Sequence, residues 1–515
     1  FIETMLVDTD NNLWVGTLSD GIFKFKIGNG PGNELTEYNH FAISDKMIMT
    51  MIQLDDHSLM IGTENDGLFH LETSGKVIKN YLLNKQDEKS IHSNSIWSLF
   101  LDSNKRIWMG YYNSGLAVSD NLYDKFRNIE SLSRNPNSLK ANSVMGIVKD
   151  KSDRLWIGMD GGGIDIYNLK TDKYTHINKE ENFPYSGLTS DYIETIFIDS
   201  KENIWAGSWD SGIFLLKKGH KKFINYNIEN TKGKLTSNTI LSISEDPDGT
   251  IWIGTFFKGL HSFDPVSKEI THYNSKPFVE NGITTSDVRK VLVDPESNIW
   301  LGTTKGLFKI KKIPSGQFSI VSMEKRLSEK YGNYASANHI LSLHLGTDNI
   351  LWIGTRGAGL CKYNLNTDEL EWYNRLSGLQ EENVAGIIQS KEGDLWLTGN
   401  EGISQLDRKN NTFINYTVND GLLSNDFNFN AALRDKEGIL YFGNFKGIDY
   451  FNPKDIKINN SVPSLYLVGF KLFNESILPY QKNSPLKKVI AETKSITLDN
   501  SQSVFTIEFA AINYT

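Results

Sequence analysis

The chain reads as short stretches of alternating apolar and polar residues, each closed by a turn. Ile193-Glu194-Thr195-Ile196-Phe197-Ile198 leads through a polar turn to Ile204-Trp205-Ala206-Gly207, then to Gly212-Ile213-Phe214 and to Phe223-Ile224-Asn225-Tyr226. Period-two alternation bounded by Gly, Asn and Asp predicts β-strands joined by tight turns. The Trp-x-Gly centre of this unit recurs at Trp14, Trp108, Trp156, Trp205, Trp252, Trp300 and Trp352. Leu395-Trp396-Leu397 is a further copy, and two degenerate ones, Met60-Ile61-Gly62 and Tyr441-Phe442-Gly443, complete the set. A repeat of about 48 residues with four strands is one propeller blade. The expected fold is therefore all-β: tandem β-propellers assembled from ten four-stranded blades.

Two interruptions divide the array. Asn135-Pro136-Asn137-Ser138-Leu139 breaks the rhythm after the third copy, and the fourth carries Asp160-Gly161-Gly162-Gly163. Seven copies then run to Phe451-Asn452-Pro453, a number within the usual four to eight. Residues 135–453 are thus expected to form a complete seven-bladed ring. Residues 1–130 are expected to be the last three blades of a truncated first propeller. One ring of ten blades is the weaker alternative. Beyond Pro453, Ser464–Phe470 and Ser503–Phe509 are strand patterns without Trp-x-Gly, so residues 454–515 begin another β domain.

Eight of the 11 tryptophans occupy the motif position, where a large flat side chain can wedge between blades. The glycine of Trp-x-Gly suits close packing. A net charge of −8 argues against a nucleic-acid surface. The single cysteine, Cys361, precludes an intrachain disulfide and a thiolate zinc site. No apolar run reaches membrane-spanning length, and the chain, which begins at Phe1 inside a strand pattern, reads as a fragment cut at both ends.

The copies of Asp-x-x-x-Asn-Ile-Trp-Leu-Gly-Thr followed by Gly-Leu-Phe resemble two-component regulator propeller repeats. Asn135–Leu139 with the triple-glycine blade is similar to the start of the second seven-bladed propeller in that family. Phe505-Thr506-Ile507-Glu508-Phe509-Ala510-Ala511-Ile512-Asn513-Tyr514 resembles the start of a Y_Y_Y domain, an Ig-like β-sandwich. The resemblance implies the periplasmic sensor region of an inner-membrane hybrid histidine kinase. Such a sensor detects glycan-derived oligosaccharides, directs transcription of carbohydrate-use genes and dimerises through its C-terminal and membrane-proximal parts. A carbohydrate-active propeller enzyme of the polysaccharide lyase kind and a protein-interaction scaffold remain alternatives, because propellers host all three.

No catalytic motif, cofactor loop or metal-ligand spacing stands out. The acidic turns, such as Asp246-Pro247-Asp248-Gly249, lie between the first and second strands and are explained by turn chemistry. Variation concentrates instead in the loop between the second and third strands, which propeller geometry puts on one face around the channel. There the candidate ligand-binding residues are Asp160, Trp209, Asp210, Phe256, Phe257, Lys258, Lys305, Arg356, Asn400 and Lys446. Aromatic faces suit sugar rings, and Lys or Arg suits carboxylates and sulfates. An oligosaccharide, more readily an acidic one, is the expected partner.

Overall fold

Each copy of the repeat folds into an antiparallel meander with strands in sequential order, as in Ile193–Ile198, Ile204–Ser208, Ile213–Leu216 and Ile224–Tyr226. The structure is a computed structural model. It describes all residues except 29–33, 86–89, 121, 123–124, 133–134, 181–182, 314–316, 333, 458–462 and 513–515. Two compact units result, one of residues 123–456 and one of residues 1–122 with 457–515.

The acidic turn and the tryptophan form one device. In Asp294, Oδ1 accepts the backbone N–H groups of Glu296 and Asn298 at 3.0 and 2.8 Å, closing the turn. Its Oδ2 accepts the indole N–H of Trp300 at 2.9 Å. The same bond, at a spacing of six residues, joins Asp8 to Trp14, Asp102 to Trp108, Asp150 to Trp156, Asp199 to Trp205 and Asp246 to Trp252. Burial acts to raise the Asp102 carboxyl, but hydrogen bonds from Trp108, Arg106 and Asn104 outweigh it and hold it down to about 2. Where Gly346 and Ser390 stand in place of the aspartate, the buried indole N–H groups of Trp352 and Trp396 have no partner among the described residues.

In unit 123–456 seven such sheets close into a ring. The first strand of each blade packs on the next, from Val144–Lys149 round to Phe427–Arg434 and back. Close approach depends on the motif glycine: a Cβ on Gly254 would lie 2.4 Å from the Val288 carbonyl of the next blade. On Gly443 it would lie 2.8 Å from that of Val144, so the seventh blade meets the first through the same close approach. Trp156, Trp205, Trp300, Trp352 and Trp396 are buried between blades among Ile, Leu and Val.

The boundary of this ring differs from the one at residues 130 and 135. The tenth copy supplies only three strands, Phe427–Arg434, Leu440–Asn444 and Gly447–Phe451. Its fourth is Arg127–Glu130, which lies before the first blade in sequence and pairs antiparallel with Gly447–Tyr450. Phe126 enters with it and packs edge-on against Phe451 at 4.9 Å. The two chain ends of the ring are thus joined by hydrogen bonds and apolar contact inside one sheet. The repeat period hides this, because the closing strand lies about 300 residues from its partner.

In the other unit, two four-stranded blades, Ile2–Phe41 and Ile48–Tyr81, precede a third with three strands, Ile96–Leu101, Ile107–Tyr111 and Leu116–Ser119. The third copy is therefore not four-stranded, since the next strand pattern is used by the ring. The C-terminal part forms a separate sheet in which Ser464–Leu472 pairs with Glu475–Ser476 and Phe505–Ile512. Asn513 and Tyr514 lie outside the described residues.

Replacing Asp294 by Ala removes a charged acceptor from a buried indole and is expected to cost about 2 to 3 kcal/mol. Ser390→Asp restores the missing partner of Trp396 at the Asp294–Trp300 spacing and should gain about 1 kcal/mol. Urea unfolding of residues 123–456 checks both signs.

Candidate ligand-binding site

Within each blade the loop after the second strand is pinned beside the entry to the first. The N–H groups of Asp160, Trp209, Phe256 and Arg356 donate to the carbonyls of Ser143, Tyr192, Thr239 and His339 at 2.8 to 3.2 Å. The first residue of each variable loop is therefore held at the rim of the channel. The first strands also share a β-bulge. Ile193 faces Ser208 while Thr195 faces Gly207, which leaves Glu194 unpaired, and the same shift leaves Arg289 unpaired in the fourth blade. Bulges thus turn two charged side chains to the channel mouth.

One side of the mouth is aromatic. Trp209 lies 5.3 Å from Phe256, which lies 4.3 Å from Phe257, across two adjacent blades. Trp209 and Phe257 are 46% and 54% exposed, and Tyr192 and Phe445 are exposed as well. Phe257 has a φ of 53°, uncommon for a bulky residue, and its N–H is held by Asp287 Oδ1 at 3.2 Å.

The other side is charged. Burial, reinforced by the Asp160 carboxylate and opposed by Arg289, pushes the Glu194 carboxyl up to about 7. Burial and then the guanidinium groups of Arg289 and Arg356 hold His339 down to about 4. Arg289 also contacts Asp287 at 3.3 Å and lies over the Phe429 ring at 5.4 Å. Asp160, Glu194, Arg289, His339 and Arg356 thus form one electrostatic group drawn from four blades.

The floor comes from the seventh blade. Between the pairs Phe427–Asn444 and Ala432–Phe442, four intervening residues face one, so Asn428–Ala431 loop into the channel. Asn428 donates to the Val144 carbonyl of the first blade at 2.8 Å. Asn430 donates to Leu241 of the third at 2.7 Å and accepts from Lys290 of the fourth at 3.2 Å. This crossing segment closes the channel below the mouth.

Of the residues selected from sequence, Trp209, Phe256 and Phe257 form one surface, and Asp160 and Arg356 join the charged group. The others are not drawn into it. Asp210 accepts the Ser190 hydroxyl at 2.5 Å, and Lys305 donates to Thr285 at 2.9 Å. Lys258, Asn400 and Lys446 are exposed on their own loops. Sequence reading missed Glu194, Arg289, His339 and Phe429. The first two were detectable as charges at a bulge position held elsewhere by Met145, Leu241 and Leu341. The floor left only a small trace: Gly443 follows Phe427 by 16 positions, whereas Gly207 follows Ile193 by 14.

A seven-bladed propeller with a closed-floor mouth, preceded by further blades, is the class that these features define. Residues 90–113 and 234–257 match the family described as two component regulator propeller. Histidine kinase P4 of Formosa agariphila is 28% identical over 259 residues, 49% of this chain and 18% of that protein. Among solved structures, the extracellular domain of a putative hybrid two component system from B. thetaiotaomicron superposes with a TM-score of 0.75 at 24% identity. It covers 99% of this chain and 64% of that one. A second extracellular domain from B. thetaiotaomicron, of a putative one component system, gives 0.51 at 19% identity, covering 99% and 66%. The chain spans less than two thirds of these relatives. Among the described residues no helix is long and apolar enough to cross a membrane.

Because the Glu194 carboxyl is raised in the folded state, the native protein binds more protons than the unfolded one between about pH 4.5 and 7. Stability should fall as pH rises through that window, and Glu194→Gln should remove this contribution. Thermal unfolding of both proteins from pH 4 to 8 measures the difference in slope.

Proposed function

We propose that this chain is the ligand-sensing part of a membrane histidine kinase of the hybrid type, lying in the periplasm, and that its seven-bladed ring takes an oligosaccharide at the channel mouth. The observation carrying this reading is the pairing, at one mouth, of an exposed aromatic surface with a cluster of arginines and carboxyl groups. Trp209, Phe256 and Phe257 offer flat apolar faces to sugar rings. Arg356 and Arg289 offer donors to a carboxylate or sulfate, and Asp160 and Glu194 accept hydroxyl groups. The likeness to extracellular domains of two-component systems supports a sensor over an enzyme or a scaffold.

Residues 454–515, read as the start of a Y_Y_Y domain, would carry the signal towards the membrane in a homodimer. Ligand binding would bias that dimer between two states and so control transcription of carbohydrate-use genes.

Calorimetric titration of residues 1–515 with acidic and neutral oligosaccharides tests the reading. An acidic member should bind, and Trp209→Ala and Arg356→Ala should each weaken it by roughly threefold to tenfold or more. Full affinity retained by both variants would move the site off this mouth. Shortening of the oligosaccharide during titration would favour the enzyme instead.

A further inference from the structure

The residue immediately before the first strand of a blade can reach over to the variable loop of the blade before it. The Thr239 hydroxyl donates to the Trp209 carbonyl at 2.5 Å, and in the other unit the Ser95 hydroxyl accepts the Asn65 N–H at 3.1 Å. Two blades of the ring carry a carboxylate at this position, Asp287 and Asp426. Asp426 is exposed, whereas Asp287 is 3% exposed. A carboxylate buried so deeply is costly unless its oxygens are matched.

Each oxygen of Asp287 holds one half of the mouth. Oδ1 accepts the N–H of Phe257, in the loop of the third blade, at 3.2 Å. Oδ2 accepts from the Arg289 guanidinium of its own blade at 3.3 Å. The residues flanking Phe257 are anchored within the third blade: Phe256 donates its N–H to the Thr239 carbonyl at 3.2 Å, and His272 Nε2 donates to the Lys258 carbonyl at 3.1 Å. Phe257 itself, with its φ of 53°, is tied to the next blade through Asp287. A positive φ at a bulky residue persists only where the surroundings hold it. The Arg289 side chain has five N–H donors, and the bond to Asp287 is its one hydrogen bond among the described residues. Its Nε is buried without a partner there. The guanidinium is thus fixed at one corner and otherwise uncommitted.

We infer that Asp287 is the positioning residue of the mouth: one buried carboxylate keeps the aromatic surface and the anion-binding arginine at a fixed separation, so the site selects a saccharide that carries an apolar ring face and an acidic group together. The role rests on the oligosaccharide reading of this mouth. Two groups ordered before the ligand arrives lose little freedom on binding it, so a saccharide with both features gains from both contacts at once. Without the carboxylate, the loop and the guanidinium move independently and that advantage is lost. Asp287 acts through Phe257 and Arg289 rather than by touching the ligand.

Two substitutions separate the two bonds. Asp287→Asn leaves an amide oxygen for the Phe257 N–H but no acceptor for Arg289, whereas Asp287→Ala removes both. In residues 1–515 without ligand, hydrogen–deuterium exchange of Phe256–Gly259 should quicken roughly tenfold in Asp287→Ala and change by less than about twofold in Asp287→Asn. Calorimetric titration with uronate and sulfated tetrasaccharides, and with their carboxyl-reduced or desulfated counterparts, reads the selection. Asp287→Asn should keep the native affinity for the neutral counterparts and lose roughly tenfold of the preference for the acidic ones, while Asp287→Ala should weaken both classes. Unchanged exchange in Asp287→Ala, or an equal loss for acidic and neutral members in Asp287→Asn, would overturn the inference and leave Asp287 a purely structural residue. The isosteric Asp287→Asn decides it even if Asp287→Ala fails to fold. If no member binds the native protein, the oligosaccharide reading itself falls and this role with it, whatever the exchange shows.

Discussion

The wedge of a motif aromatic between neighbouring blades, tied in four of the seven by an indole hydrogen bond to an acidic turn six residues before it, is the constraint on which the rest of the ring depends. One carboxylate closes the turn between the first two strands with one oxygen and fixes the tryptophan with the other. The side chain that separates neighbouring blades is thereby locked to the strand that carries it, and a buried N–H is satisfied. The carboxylates of these acidic turns are engaged in this way rather than free for a cation. Trp352 and Trp396, which lack the aspartate, still occupy their wedge positions. Packing therefore places the ring, and the hydrogen bond restrains its orientation.

With the turn face committed to structure, the opposite face is free to vary. The variable loops there are pinned by backbone hydrogen bonds rather than by side chains, so their residues can change without loss of the frame. Trp209, Phe256, Arg356 and Asp160 thus stand at equivalent rim positions, although about 50 to 200 residues separate them. The bulges add Glu194 and Arg289, and the seventh blade adds a floor. A shallow propeller surface becomes a concave mouth in which aromatic and charged groups meet, the composition that ligand sites favour.

The blade pattern was legible because period-two alternation is local and recurs through ten copies, eight of them with the tryptophan and nine with the glycine. Ring closure was not, because Arg127–Glu130 carries no motif and finds its partner only when the chain returns to Gly447–Tyr450. The rim aromatics were legible as departures from the repeat at one loop. Glu194 and Arg289 escaped because alternation marks them only as polar residues within a strand, and a bulge is needed to turn them to the mouth. Lys305 and Asp210 were selected by position, yet each is held by a neighbouring hydroxyl. Loop position alone does not specify where a long side chain ends.

The central claim is that ligand engages the rim and floor of this one mouth. Hydrogen–deuterium exchange of residues 1–515, with and without the tightest-binding oligosaccharide, tests it most directly. The account predicts slower exchange in Trp209–Gly212, Phe256–Gly259, Arg356–Gly359 and Asn428–Ala431, with the turn Asp246–Gly249 unchanged. Protection confined to the acidic turns, or to residues 1–122, would contradict it.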